Sequence, residues 1–355
     1  MTEATTTATP GRMKLRTTLF ALTLAIGACK KEAPKTEPEK TPPTPVAVAD
    51  AGTVDAGPTD AEKVAKKIAD DQAAAEKEKA RWTPELEASA LALRDKSFKD
   101  SKEALTAILA SDHRKPGAKD RDGARHPLET LVFFGVKPTS TLIELGAGGG
   151  WYTEILAPLL GAKGKLIVAG PDANGPADKM QTAYGKSLDL FLAKSKLFEK
   201  VERVTITQPL KLGEDGKADF VIAMREMHNW QRRGEFDAYL AAVHAALKDG
   251  GTFGIEEHRG KPGTKGEDTA ESGYLAEDWV IAKVEAAGFK LAEKSEINAN
   301  PKDTKDYPKG VWTLPPNFRE GDKDKEKYAA IGESDRMTLK FTKVAKAAAP
   351  APAKP

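Results

Sequence analysis

Two stretches of the 355-residue chain carry the residue types that could do chemistry. In "TLIELGAGGGWYTEIL", Thr141 to Leu156, an apolar run ends in an acid, Glu144, and the residues after it supply Gly146, Gly148, Gly149 and Gly150. Glycines let a ligand reach the backbone with no Cβ in the way, and a carboxylate beside such a loop favours a cationic group on that ligand. In "DFVIAMREMHNW" and "GTFGIEEH", apolar runs end in Arg225, Glu226, His228, Asn229 and Trp230, and in Glu256, Glu257 and His258. A histidine there can take up a proton near neutral pH, or simply hydrogen-bond a loop. His258 with the carboxylates could hold a divalent ion. Strand alternation argues against that, because Glu256 and His258 would face one way and Glu257 the other, so no metal is expected.

These residues need elements to position them. Strands are expected at "TLIEL", "KLIVAG", "VERVTIT", "DFVIAM" and "GTFGIEEH", with helices near Trp151 to Leu160, Leu188 to Lys200 and Phe236 to Leu247. Such alternation predicts a parallel sheet covered by helices on both faces. Downstream come an amphipathic "YLAEDWVIAKVEAAGF" and two more strand-like runs, "KLAEKSEIN" and "MTLKFTKV". Upstream, Ala61 to Ala80 reads as a solvated Ala/Lys/Glu-rich helix, followed by helices at "ELEASALALRDKSF", "SKEALTAILAS" and "LETLVFFGV". Open sheets of this class bind ligands at the carboxyl ends of their strands, where the glycine loop would lie.

The loop is not a dinucleotide fingerprint. G-x-G-x-x-G places its third glycine at Trp151 when counted from Gly146, and at Thr153 from Gly148. Nor is "YGKS", Tyr184 to Ser187, a phosphate loop, since that pattern needs glycine at Met180. An acid followed by G-x-G-x-G, Glu144 with Gly146, Gly148 and Gly150, closely resembles motif I of the class I S-adenosylmethionine-dependent methyltransferases. "ALKDGGTFGIEEH" looks like that family's turn into its fifth strand, with Asp249 where proline is usual, and the last two runs like its antiparallel sixth and seventh strands. The likeness covers about Asp112 to Val344, and "SDHR", "RHPLETLVFFGVKP" and "WYTEILAP" resemble a subgroup of predicted methyltransferases with export signals.

The resemblance implies a Rossmann-like, doubly wound, seven-stranded mostly parallel sheet with S-adenosylmethionine as cofactor. It implies cofactor contacts from Glu144, Gly146, Ala147, Gly148, Gly150 and Trp151, with Glu144 toward the ammonium group. In the family an acid ends the second strand and holds the ribose; Gly170 stands there, and Asp172 follows two residues later. Where an Asp often contacts the adenine, "TITQPLKL" offers Gln208. His228 is the first choice for a general base, with Arg225 and His258 beside it. His113 and Arg114, in "SDHRKPGAKDRDGARHP", are expected over the cofactor or an acidic substrate, unless that loop is merely solvated. The interval Asn298 to Arg336 should hang over the site as a lid, Trp312 packing on substrate or cofactor and Trp230 nearby; the alternative is an inert clasp.

Charge and the N-terminus bound the context. With 55 basic and 53 acidic residues the net charge is +2, so no global field argues for nucleic acid as partner. Arg12, Lys14 and Arg16 precede the apolar "TTLFALTLAI", and "IGAC" ends at Cys29, the one cysteine. This resembles a bacterial lipoprotein signal, with lipidation at Cys29 and a membrane anchor outside the cytoplasm, in the periplasm. The expected organisation is a leader over 1–28, a disordered Pro/Lys/Glu-rich tether over 29–59 and a helical region over 60–111. A methyltransferase domain follows over 112–344, with its insertion at 298–336, and a disordered tail over 345–355. The expected activity is methyl transfer to a small-molecule or envelope acceptor; a binding protein that has lost transfer is the alternative.

Overall fold

A computed structural model describes residues 58–345. The leader, Cys29, nearly all of the tether and nearly all of the tail lie outside the described residues.

Three helices come first: α1 (Asp60–Arg81), α2 (Pro84–Asp95) and α3 (Ser101–Ala110). Each start is written locally. Thr59 and Glu62 form a reciprocal capping box, Thr83 caps α2 with Pro84 in its first turn, and Asp100 caps α3. Two short helices, α4 (Asp122–Arg125) and α5 (Pro127–Phe134), lead into the sheet, and Gly135 stops α5 at φ +85°.

The sheet and its covering helices then alternate: β1 (Thr141–Leu145), α6 (Thr153–Leu160), β2 (Lys165–Gly170), α7 (Met180–Leu192), β3 (Glu202–Thr205), β4 (Ala218–Met224), α8 (Met227–Arg232), α9 (Phe236–Ala246) and β5 (Leu247–His258). After β5 come α10 (Gly266–Thr269), α11 (Glu277–Ala286), β6 (Phe289–Ser295), α12 (Lys325–Ile331) and β7 (Arg336–Lys343). Strand order is β3-β2-β1-β4-β5-β7-β6, with β1 to β5 parallel and β7 running against both neighbours. This is the α/β, Rossmann-like, doubly wound sheet of seven strands that the sequence predicts, reversing direction of winding between β1 and β4.

Alternation along the strands builds two cores. Ile143, Leu145, Val221, Ala223, Phe253 and Ile255 face α9 and α11. On the other face Leu142, Val168 and Ile222 meet α3, α5 and α6. Each buried Val, Leu, Ile or Phe among them contributes on the order of 1.5–3 kcal/mol. Glu144 shares the face of Leu142 and is also buried, which places a carboxylate at the carboxyl end of a central strand.

Several boundaries differ from the sequence reading. α7 begins at Met180 and ends at Leu192, because "YGKS" lies inside it; only a short turn over Lys196–Phe198 continues the expected helix. β5 starts at Leu247 rather than Gly251, with a register irregularity opposite Ala218–Phe220. Of the last two strands only β7 opposes the sheet, since β6 pairs β7 alone and so runs with β5. Finally, α1 is not a free solvated helix: it packs along α7, and Val64 is fully buried.

Candidate functional site

The turn after β1 depends on its glycines. Gly146, Gly148 and Gly150 have φ of +64°, +54° and +79°, which L side chains rarely adopt. A Cβ on Gly146 would meet the Glu226 side chain at 2.7 Å, and one on Gly150 would lie 2.2 Å from the Phe191 ring. Backbone at Gly146 and Gly148 therefore lines a cavity of about 900 Å³, within the range of sites that enclose a small ligand, whereas Gly150, expected as a cofactor contact, packs on Phe191 outside the lining. Gly146, Ala147 and Gly148 form one side, Gly170 and Asp172 another, and Gln208 a third. The three loops meet at the carboxyl ends of β1, β2 and β3, beside the point of reversal. Asp172 is exposed, and its Oδ1 accepts from Asn174 N–H at 2.8 Å.

Two carboxylates stand at the loop in different settings. Glu144, expected toward the cofactor ammonium, lies beneath the loop and not in the cavity lining, 2% exposed and accepting from Thr153 Oγ1 at 2.8 Å. Burial pushes Glu144 up to about 7, although that hydrogen bond opposes the shift. Glu226 lies in the cavity wall itself and accepts from Asn229 Nδ2 at 3.0 Å; burial raises it too, against Asn229 and Arg233. Glu226 reaches the loop because Arg225, at the turn out of β4, takes a left-handed φ of +58°. For a side chain of that size this is a strained conformation, held by Arg225 N–H donating to the Glu256 carbonyl at 2.6 Å. The sequence places Glu226 among the rim residues without distinguishing it; the register of β4 against β1 and the turn at Arg225 single it out.

The outer wall is unexpected. Lys67, Asp71, Ala74, Ala75 and Glu78 of α1 all line the cavity, one helical face at spacings of three and four. Glu78 and Glu154 share the buried Lys194 ammonium, at 3.3 and 2.6 Å, and Glu78 also pairs with Arg81 at 2.6 Å. Arg81 in turn donates to the Asp112 and His113 carbonyls, so α1 is fastened at its carboxyl end. This face carries small and charged residues rather than apolar ones, which is why the sequence reads as a solvated helix.

The remaining predicted residues divide. Trp230 is fully buried, stacked on Tyr239 at 4.5 Å, and lines the cavity with its indole Nε1 lacking a partner. Trp151 is absent from the cavity lining. It turns the other way, donates from Nε1 to the Ala118 carbonyl at 3.1 Å and lies between Arg114 and Arg125 at 5.1 and 4.8 Å. Nor are His113 and Arg114 on a solvated loop or in the cavity. His113 is fully buried between Ser111 and the Glu154 carbonyl, and Arg114 pairs with Asp122 through both terminal nitrogens, at 2.5 and 2.8 Å.

Arg225, His228 and His258 gather in a second polar centre at the ends of β4, β5 and β7. Glu256 accepts from Arg225 at 2.8 and 2.9 Å and from the Tyr152 hydroxyl at 3.2 Å, and forms an ion pair with Arg336 at 2.7 Å. Burial opposes ionisation of Glu256, but Arg225, Arg336 and Arg125 outweigh it and hold its carboxyl below the ordinary range. On the opposite face, Glu257 Oε1 accepts from His228 Nδ1 at 3.0 Å and His258 N–H at 2.8 Å. Its Oε2 accepts from Met227 and His228 N–H at 2.7 and 3.2 Å, at the start of α8. The His258 ring lies 5.5 Å from that of His228, its Nδ1 2.5 Å from Ser334 Oγ, and burial holds it well below its usual value. Alternation along β5 separates Glu256 from Glu257 as expected. It does not separate Glu257 from His258, because His258 is the last residue of the strand and His228 lies beyond its end.

Trp312 packs edge-on to His228 at 5.9 Å, with Arg319 over its ring at 4.6 Å, and does not line the cavity. The insertion that carries it is tied to the sheet: Asn298 Nδ2 donates to Thr130 and Thr338, and Asp303 accepts from Tyr274.

No protein-family model matches the chain, and no curated protein matches it. Similar solved structures include a SAM dependent methyltransferase from Aquifex aeolicus, 16% identical over 68% of this chain and 98% of that one, with a TM-score of 0.43. The [4+2]-cyclase SpnF is also 16% identical, over 69% and 97%, with a TM-score of 0.44. The 1,6-didemethyltoxoflavin-N1-methyltransferase of Burkholderia thailandensis, solved with S-adenosylhomocysteine, is 14% identical over 74% and 92%, with a TM-score of 0.38. Likeness at this level carries no argument about activity, and the fold rests on the strand order itself.

Proposed function

We propose that the protein transfers a methyl group from S-adenosylmethionine to a small-molecule or envelope acceptor. The observation that carries this reading is the coincidence of an acid-plus-glycine loop, built at positive φ, with a cavity whose wall holds the half-buried carboxylate of Glu226. The cofactor ends in an amino acid and carries a positive sulfur, so a carboxylate held against the loop favours it through charge. Asp172 and Gln208 in the same lining give the ribose and adenine an acceptor and an amide. Methyl transfer from a sulfonium asks mainly for positioning and exclusion of water, and α1 closing the outer wall supplies both.

Purified protein incubated with methyl-labelled S-adenosylmethionine and envelope extract is expected to label one class of acceptor. Binding of the cofactor with no label in any fraction would leave the alternative, a binding protein on this fold. We further propose that Cys29 carries a lipid anchor that holds the protein outside the cytoplasm, on the strength of its preceding basic and apolar run. Among the described residues no helix is long and apolar enough to cross a membrane. Cys29→Ser is expected to release the protein from the membrane fraction and abolish labelling by a fatty-acid probe; a variant that still sediments and labels would refute the anchor.

A further inference from the structure

We infer that His228, Glu257 and His258 form a binding site for a divalent transition-metal ion. One donor atom from each lies within 4.8 Å of the other two. His228 Nδ1 and Glu257 Oε1 are 3.0 Å apart, while two donors about 2.1 Å from one tetrahedral ion lie roughly 3.4 Å apart. For that pair a shift of a few tenths of an ångström replaces the shared imidazole proton with an ion, and the His258 donor, within 4.8 Å of both, closes on it by a turn of its ring.

Charge supplies the second argument. Glu257 is fully buried, as are Glu154 and Glu256, but those two have Lys194, and Arg225 with Arg336, against them. Among the described residues Glu257 has no lysine or arginine within salt-bridge distance; its one ionisable partner is His228. A buried carboxylate without a permanent cation is costly, and a divalent ion between it and two imidazoles supplies the missing charge.

The surroundings have the form that ligands need. Three backbone N–H groups, from Met227, His228 and His258, fix the Glu257 carboxylate. Ser334 Oγ lies at His258 Nδ1 and fixes that ring. A Glu257–His228 pair alone would use only the His258 backbone N–H and leave its ring, 5.5 Å from that of His228, without a part. Two imidazoles with one carboxylate suit zinc and its neighbours rather than magnesium or calcium. Trp312 and Tyr274, packed on His228 and His258, wall the site.

The test needs no cofactor and does not depend on the methyl-transfer reading. Full-length protein, treated with chelator and dialysed, is titrated with Co²⁺ in an absorption cell and with Zn²⁺ in a calorimeter. One equivalent of Co²⁺ is expected to raise ligand-field bands that Zn²⁺ abolishes. His258→Ala and Glu257→Gln are each expected to lower Zn²⁺ affinity at least tenfold, whereas His244→Ala, on α9, leaves it unchanged. Absence of Co²⁺ bands in the wild-type protein would overturn the inference, whatever the variants' folding. So would Zn²⁺ affinity that survives His258→Ala or falls equally with His244→Ala.

Discussion

At the scale of residues, the site is a matter of which backbone positions exclude a side chain and which carboxylates lose water. Gly150 combines φ of +79° with the Phe191 ring where a Cβ would go, so Gly150→Ala should cost about 3 kcal/mol of stability, read by denaturant unfolding. Glu144 gives a pH dependence. Its folded value, near 7, lies above its ordinary 4.5, so its contribution is fully present below pH 4.5 and is lost as pH rises to about 7. That loss is about 3 kcal/mol, and Glu144→Gln should remove it, leaving a flatter profile of melting temperature between pH 5 and pH 8. A variant that keeps the wild-type slope would mean that another group titrates there. Glu144 and the glycines were legible in the sequence because their spacing is local. Glu226 was not, since its distinction comes from a left-handed turn at Arg225 that no residue type announces.

At the scale of elements, sequence periodicity located the sheet. β1 and β2 begin and end where their apolar runs do, because strands buried on both faces read as unbroken apolar runs. α7 instead carries polar residues over its first turns, so apolar periodicity locates it only from Leu188. Periodicity says least about α1, whose cavity-facing side is alanine and charge. It has one fully buried apolar residue, Val64, so its stability must come largely from what it covers. Added S-adenosylmethionine should therefore slow amide exchange along Asp60–Arg81 by at least tenfold, with little change in α11 on the far side of the sheet. Unchanged exchange in α1 would detach that helix from cofactor binding.

At the scale of the whole molecule, the carboxyl ends of the strands carry two distinct centres. The cavity stands over β1, β2 and β3, with Glu226 at its edge, while Glu257 and the two histidines collect at β4 and β5. Alternation along β5 could not foretell the second centre, since it is assembled across a strand end and a helix start. The central claim is that the first cavity holds S-adenosylmethionine, and calorimetry tests it most directly. Heat is expected from S-adenosylmethionine at one equivalent and none from NAD, with Glu226→Gln weakening the affinity about tenfold, or about 1.4 kcal/mol. Heat from NAD and none from S-adenosylmethionine would contradict the account.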